Sequence, residues 1–258
     1  MGNCGTVLVL DAGTGIRPMS RELPPEARRV DVLLTHLHMD HIQGLGFFAP
    51  FFDPEMEVHV WGPASAAHAL RERLVRYLSP PLFPVHLRDL PCRLHIHDLP
   101  QDVFEVGEFR ILTNLVCHPG PTVGYRVTGP DEETVAYMPD HEPLLGACRF
   151  ATQRDWISGM AVAEGASLLI HDAQYTDDEY AFRVGWGHSS VNQAFEFARI
   201  AGVSALSPFH HDPMHGDEQI DKIFRKAIRK HKTPFPVMPA KEGDTFEVTK
   251  KGAVEVFA

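Results

Sequence analysis

Short apolar runs closed by turn residues fill the first part of the chain, and longer helical stripes enter later. Residues 4–10 (CGTVLVL) are apolar and β-branched and stop at Asp11-Ala12-Gly13, the pattern of a buried strand ended by a turn. Residues 30–34 (VDVLL) predict a second buried strand, and residues 57–61 (EVHVW) alternate as a half-buried strand does. Leu70, Leu74 and Leu78 recur at helical spacing and predict a helix over 64–78. Further strands are predicted at 92–97, 109–115, 122–128, 134–138, 167–170, 203–206, 246–248 and 254–257. Helices are predicted at 190–201 and at 218–231, where Ile220, Ile223, Phe224, Ala227 and Ile228 form one apolar stripe. No internal repeat, low-complexity tract or long linker interrupts the order. The expectation is one α/β domain over residues 1–258, with two mixed sheets and outer helices.

Composition narrows the class. With 258 residues and 44% hydrophobic content, the chain supports an ordinary globular core. Its formal charge of -10 argues against unspecific nucleic-acid binding, which needs Lys and Arg to neutralise phosphates. The four cysteines, Cys4, Cys92, Cys117 and Cys148, are widely spaced without a C-x-x-C pair, so neither a disulfide framework nor a thiolate zinc site is expected. The chain shows no run of about 18 apolar residues and no apolar signal core. A soluble, cytoplasmic protein without membrane attachment is expected.

The chemistry concentrates in THLHMDH, residues 35–41. Imidazole is the commonest metal ligand near neutral pH, and a carboxylate among imidazoles suits zinc, manganese or iron. His36 and His38 lie two apart in extended chain, so both face one side and can share a metal. Asp40 and His41 follow on the next turn of backbone and face a second metal. A catalytic two-metal site needs more ligands from other strand ends. Three such ends offer them: His118 in NLVCHPG, Asp140 in YMPDHE and His210 in LSPFHHDP. His211 competes with His210, and His141 stands beside Asp140. His95-Ile96-His97 lacks a following D-H and is expected to be a strand with exposed histidines, while His59, His68 and His86 carry no signal. Gly13-Thr14-Gly15 lacks the third glycine of a dinucleotide fingerprint and implies backbone geometry only. Phe47, Phe48, Phe51 and Phe52 are expected in the core.

THLHMDH resembles the H-x-H-x-D-H motif of the metallo-β-lactamase fold superfamily, and LVLDAGTG resembles the strand and aspartate ahead of it. The resemblance covers nearly the whole chain. It implies an αββα sandwich and two divalent metal ions, zinc first, with manganese and iron also compatible. The implied ligands are His36, His38, Asp40, His41, His118, Asp140 and His210, with Asp11 orienting them. HDAQYT from His171 and GWGHSS around His188 resemble the H-E-A-T and G-H-S-T segments of ribonuclease Z and its phosphodiesterase relatives. They imply a dyad in which Asp172 supports His188 as proton donor, alongside Asp40 as a catalytic residue. The similarity points to the phosphoribosyl cyclic phosphodiesterase-like subgroup. The implied activity is hydrolysis of a small, cyclic phosphodiester by a metal-bridging hydroxide. Relatives carry one more strand and a glycine-rich loop ahead of the LDAG strand, so one sheet edge is expected to be less covered here. No glycine- and lysine-rich arm for tRNA lies between His118 and His210. Homodimers are common among such relatives, so a homodimer is compatible with the resemblance and the oligomeric state stays open. Hydrolysis of thioesters, lactones or β-lactams and cleavage of single-stranded nucleic acid stay open as alternatives.

Overall fold

The structure, a computed structural model, describes residues 6–100, 103–249 and 254–257. The chain forms two compact units, Met1–Phe109 and Arg110–Ala258.

The first unit carries a sheet in the order β1 (Val7–Leu10), β2 (Arg29–Leu33), β3 (Glu57–Gly62), β4 (Arg93–Asp98), with each neighbouring pair parallel. Residues 4 and 5 of the first predicted strand lie outside the described residues. Side chains alternate across a strand, and one face of this sheet brings Val30, Val32, Val58 and Val60 into a core with Phe48, Phe51, Leu70, Leu74 and Leu78. The opposite face carries Asp31, His59, Trp61, His95 and His97, which are in register across β2 to β4. Short helices α1 (Ile16–Met19), α2 (Met39–Ile42) and α3 (Leu70–Val75) join the strands. The helix expected over 64–78 is therefore shorter. Its first turn forms only at Leu70, where the Asp98 carboxylate accepts the Leu70 N–H at 3.0 Å and caps a helix that lacks a capping side chain of its own. The leucine triplet is nonetheless fully buried. Of the four phenylalanines expected in the core, Phe48 and Phe51 are buried and meet edge-to-face at 5.6 Å, whereas Phe47 and Phe52 are exposed.

In chain order, β5 (Val103–Val106) ends the first unit, and β6 (Phe109–Leu115), β7 (Val123–Thr128), β8 (Thr134–Met138), β9 (Leu168–Asp172) and β10 (Leu206–Phe209) follow. The sheet of the second unit runs β10-β9-β8-β7-β6, antiparallel from β6 to β8 and parallel from β8 to β10. The strand expected at 203–206 is displaced to Leu206–Phe209 and contains Pro208. Pro208 lacks a ladder N–H, which an edge strand tolerates, and its carbonyl accepts the Ala240 N–H at 3.0 Å. Helices α4 (Met160–Ala163), α5 (Asp177–Tyr180), α6 (Val191–Ala201) and α7 (Asp217–His231) complete the unit. Ser190 and Gln193 form a reciprocal capping box at the start of α6. The apolar faces of α6 and α7 bury Phe195, Phe197, Phe224 and Ala227 over Ala136 and Leu169. Strands β11 (Thr245–Val248) and β12 (Val254–Phe257) pair antiparallel at the end of the chain. The fold class is α/β, two sheets each with its own helices. Among the described residues, no helix is long and apolar enough to cross a membrane.

Candidate metal centre

In the first unit, strand ends bring the ligand-type residues together. Asp11 follows β1 directly and takes a left-handed backbone, φ 60°, a strained conformation for a residue with a Cβ. Its buried carboxylate accepts the Thr35 N–H at 2.7 Å and the Thr35 hydroxyl at 2.9 Å. It also accepts from His41 Nδ1 at 2.8 Å. With the Thr35 proton given to Asp11, the Thr35 oxygen accepts from His36 Nδ1 at 3.0 Å. Both imidazoles thus carry their proton on Nδ1 and keep the Nε2 lone pair for coordination, the usual orientation of a metal-binding histidine. The His36 ring lies 4.4 Å from His38 and 4.2 Å from His41. Asp40 Oδ2 lies 3.3 Å from His41 Nε2. A lone pair facing a carboxylate is repulsive unless a cation stands between them, so this donor set fits a divalent metal. The approach of the two loops needs glycine. A Cβ on Gly13 would stand 2.5 Å from the Asp40 carbonyl oxygen, and one on Gly44 2.0 Å from that of Gly13.

The second unit gathers the other predicted residues. His118 follows β6 and donates from Nδ1 to the Gly187 carbonyl at 2.9 Å, which leaves Nε2 as a lone pair 3.6 Å from Asp140 Oδ2. A Cβ on Gly187 would meet His118 Nδ1 at 2.3 Å, so only glycine serves there. His210 follows β10 directly, also in the left-handed region at φ 58°, and its Nε2 lies 3.4 Å from Asp140 Oδ1. One buried carboxylate therefore stands between two imidazoles, a position suited to bridging cations. His188 Nδ1 donates to Asp172 Oδ2 at 2.7 Å and lies 3.9 Å from Asp140 Oδ2. Its ring stacks on His210 with centroids 5.0 Å apart and an interplanar angle of 8°. Asp172 is fully buried and also accepts backbone N–H groups from His141, Gln174 and Ser189 at 3.0–3.2 Å.

His211 points elsewhere than His210. Its Nε2 meets the Ala240 carbonyl at 3.2 Å and its ring packs on Phe224. His215 pairs with Glu179 at 2.8 Å. His141 turns from Asp140 to His171, Nδ1 to Nε2 at 2.9 Å, and His171 Nδ1 donates to the Asp172 carbonyl at 2.7 Å. Burial pushes His171 down to about 4 and holds His141 well below the usual histidine range.

Sequence reasoning missed Glu142. Fully buried, it accepts from the Tyr180 hydroxyl at 2.8 Å and from the N–H groups of Gly185 at 2.9 Å and Gly187 at 2.8 Å. It thereby pins the loop whose Gly187 carbonyl holds His118. Only its place in PDHE hinted at this. His97 also departs from expectation. It is half-buried, and its ring stacks on Trp61 at 4.0 Å instead of lying exposed.

Similarity to known proteins bears on what these clusters do. Residues 6–211 match the family model of the beta-lactamase superfamily domain, a span that runs through both units. The chain is 29% identical over 248 residues to a ribonuclease Z of Methanopyrus kandleri, covering 85% of this chain and 83% of that protein. Among solved structures, the metallo-β-lactamase fold protein YhfI from Bacillus subtilis superposes with a TM-score of 0.65 at 20% identity, covering 92% of this chain and 85% of that one. A diphosphatase from the PhnP family superposes with a TM-score of 0.60 at 14% identity, covering 97% and 79%. The clustered His and Asp residues give the chain the capacity for two divalent metal ions. The chain belongs to the beta-lactamase superfamily domain family, and it is a metal-dependent hydrolase with a dinuclear type of ligand set, capable of phosphodiester chemistry.

Proposed function

We propose that the protein is a phosphodiesterase acting on a small, cyclic phosphodiester, and that residues 1–258 work as one catalytic domain. The observation that carries this reading is the His188–Asp172 contact of 2.7 Å beside Asp140. Cleaving a diester releases an alkoxide, a poor leaving group that needs a proton in the transition state. A thiolate leaves without one, so a supported histidine favours the diester over the thioester. In this reading His36, His38, Asp40, His41, His118, Asp140 and His210 hold the metals, zinc by preference. A bound metal pair supplies Lewis-acid stabilisation of the phosphoryl oxygens and an activated water. Asp11 orients His36 and His41, Asp40 orients the attacking water, and Asp172 fixes the His188 ring and offsets the charge of its protonated form. His188 gives a proton from Nε2 to the departing oxygen. The net charge of -10 and the lack of a lysine-rich arm between His118 and His210 favour a small substrate over tRNA. Within the described residues, Cys92, Cys117 and Cys148 are free thiols, in keeping with a cytoplasmic setting.

The test is hydrolysis of bis(p-nitrophenyl) phosphate with and without added zinc or manganese, beside the monoester and a thioester. Metal-dependent cleavage of the diester alone is expected. Thioester turnover without diester cleavage would overturn the reading. A single-strand nuclease is the second reading, carried by the likeness to a ribonuclease Z. Single-stranded RNA or DNA cut faster than cyclic nucleotides or cyclic sugar phosphates would favour it.

A further inference from the structure

The first unit holds a second group of donor side chains, on the face of its sheet opposite the apolar core. Glu57 and His59 stand two apart on β3, so both point to that face, and His95 on β4 is the direct register partner of His59. One carboxylate oxygen is the meeting point. Glu57 Oε1 lies 2.8 Å from His59 Nε2 and 3.7 Å from His95 Nε2. The other oxygen of Glu57 faces Arg93 at 4.0 Å, which leaves Oε1 to the two imidazoles. The three donor atoms lie within 4.8 Å of one another.

We propose that Glu57, His59 and His95 form an additional binding site for a divalent transition metal, zinc or its neighbours. Zinc takes nitrogen and carboxylate oxygen at about 2.0–2.2 Å, which sets tetrahedral donor atoms about 3.3 Å apart. The separations of 2.8 and 3.7 Å bracket that value, so small side-chain rotations bring the donors into place. An acceptor for the other tautomer is already in place. Without a metal, His59 Nε2 donates to Glu57 Oε1 at 2.8 Å; when a metal takes that place the proton moves to Nδ1, where His97 Nε2 stands ready to accept it at 2.9 Å, the role an outer acceptor plays for a coordinating histidine. The support is rigid, because His59 is largely buried, the His97 ring stacks on Trp61, and the Trp61 indole N–H donates to Asp31 at 2.9 Å. The more exposed His95 gives solvent access and leaves coordination positions for water. A metal here joins β4 to β3 by side chains as well as by the ladder.

The experiment counts ions. The 258-residue protein is stripped with a chelator, reloaded with excess zinc and desalted, and its zinc content per chain is measured by plasma mass spectrometry. Wild type is expected to retain one ion more than His95→Ala and one more than Glu57→Gln. The control His68→Ala removes a histidine on a separate exposed pair with Glu72 and is expected to match wild type. Equal zinc content in wild type, His95→Ala and Glu57→Gln overturns the proposal. Diester hydrolysis by His95→Ala is expected to equal that of wild type, so failure of this site is distinguishable from failure of the phosphodiesterase reading.

Discussion

Asp172 holds His188 by a 2.7 Å hydrogen bond while three backbone N–H groups, from His141, Gln174 and Ser189, hold Asp172. The histidine has one orientation because the carboxylate has one. Replacing His188 with Ala is expected to lower kcat by about 10²–10⁴ with diesters whose leaving groups are basic, the usual loss for a proton donor. With p-nitrophenolate, which leaves easily, the loss shrinks. Comparing His188→Ala against both kinds of diester checks the role, and an equal loss with each would remove proton donation from His188.

Asp11 acts through its neighbours. Asp11→Ala removes the acceptor that orients His41 directly and His36 through Thr35. Metal affinity is expected to fall about 10–100-fold, as when outer partners of ligating histidines are lost. Competition against a chelator of known affinity reads this without any activity assay. Unchanged affinity would leave Asp11 with a structural role only.

Glu142 positions the 185–187 loop. Glu142→Gln loses the charge on hydrogen bonds to the Gly185 and Gly187 N–H groups and the Tyr180 hydroxyl, bonds to a charged group being worth about 1.5–3 kcal/mol each. Lower thermal stability is expected together with weaker metal retention, because the Gly187 carbonyl holds His118. Loss of stability with full metal retention at low temperature would separate the fold from the site.

The buried His141–His171 pair makes stability depend on pH. Burial holds His171 at about 4, whereas the unfolded chain takes up that proton near the ordinary histidine value of about 6.5. Between those values the unfolded state binds more protons, so stability rises with pH and is complete above about 6.5. The part assigned to His171 is on the order of 3 kcal/mol, and His141 acts in the same direction. Thermal unfolding of wild type from pH 4.5 to 7.5 is expected to show that slope. A His171→Leu variant with an equally steep slope would exclude His171 as its source.

Much of the fold was legible in the sequence because strands announce themselves by period, and the ligand-type residues follow their ends. His36, Asp140 and His210 each come just after an apolar run. The helix starts at residue 70 and not at 64 because its first turn depends on Asp98, 28 residues away, and no local pattern reports a long-range cap. The strand at 206–209 was displaced because Pro208 reads as a breaker, although at an edge its missing N–H costs little. Glu142 was silent for a different reason. A buried carboxylate that accepts from backbone N–H groups has no spacing rule, since its partners lie 43 and 45 residues away. The Glu57, His59 and His95 group was overlooked because it depends on the register of β3 against β4, which neither strand states alone.

The left-handed backbone of Asp11 and His210 has a consequence for anyone who tries to harden this protein. Glycine adopts that conformation without steric cost, whereas side chains with a Cβ are held there at about 1–3 kcal/mol each. A laboratory selection that rewards heat resistance alone would therefore draw His210 toward glycine, since relief of backbone strain is the gain it can reach there. At Asp11 that relief is outweighed, because glycine would leave the Thr35 N–H, the Thr35 hydroxyl and His41 Nδ1 without their buried acceptor, so such a screen has to follow metal binding as a second criterion at His210 above all.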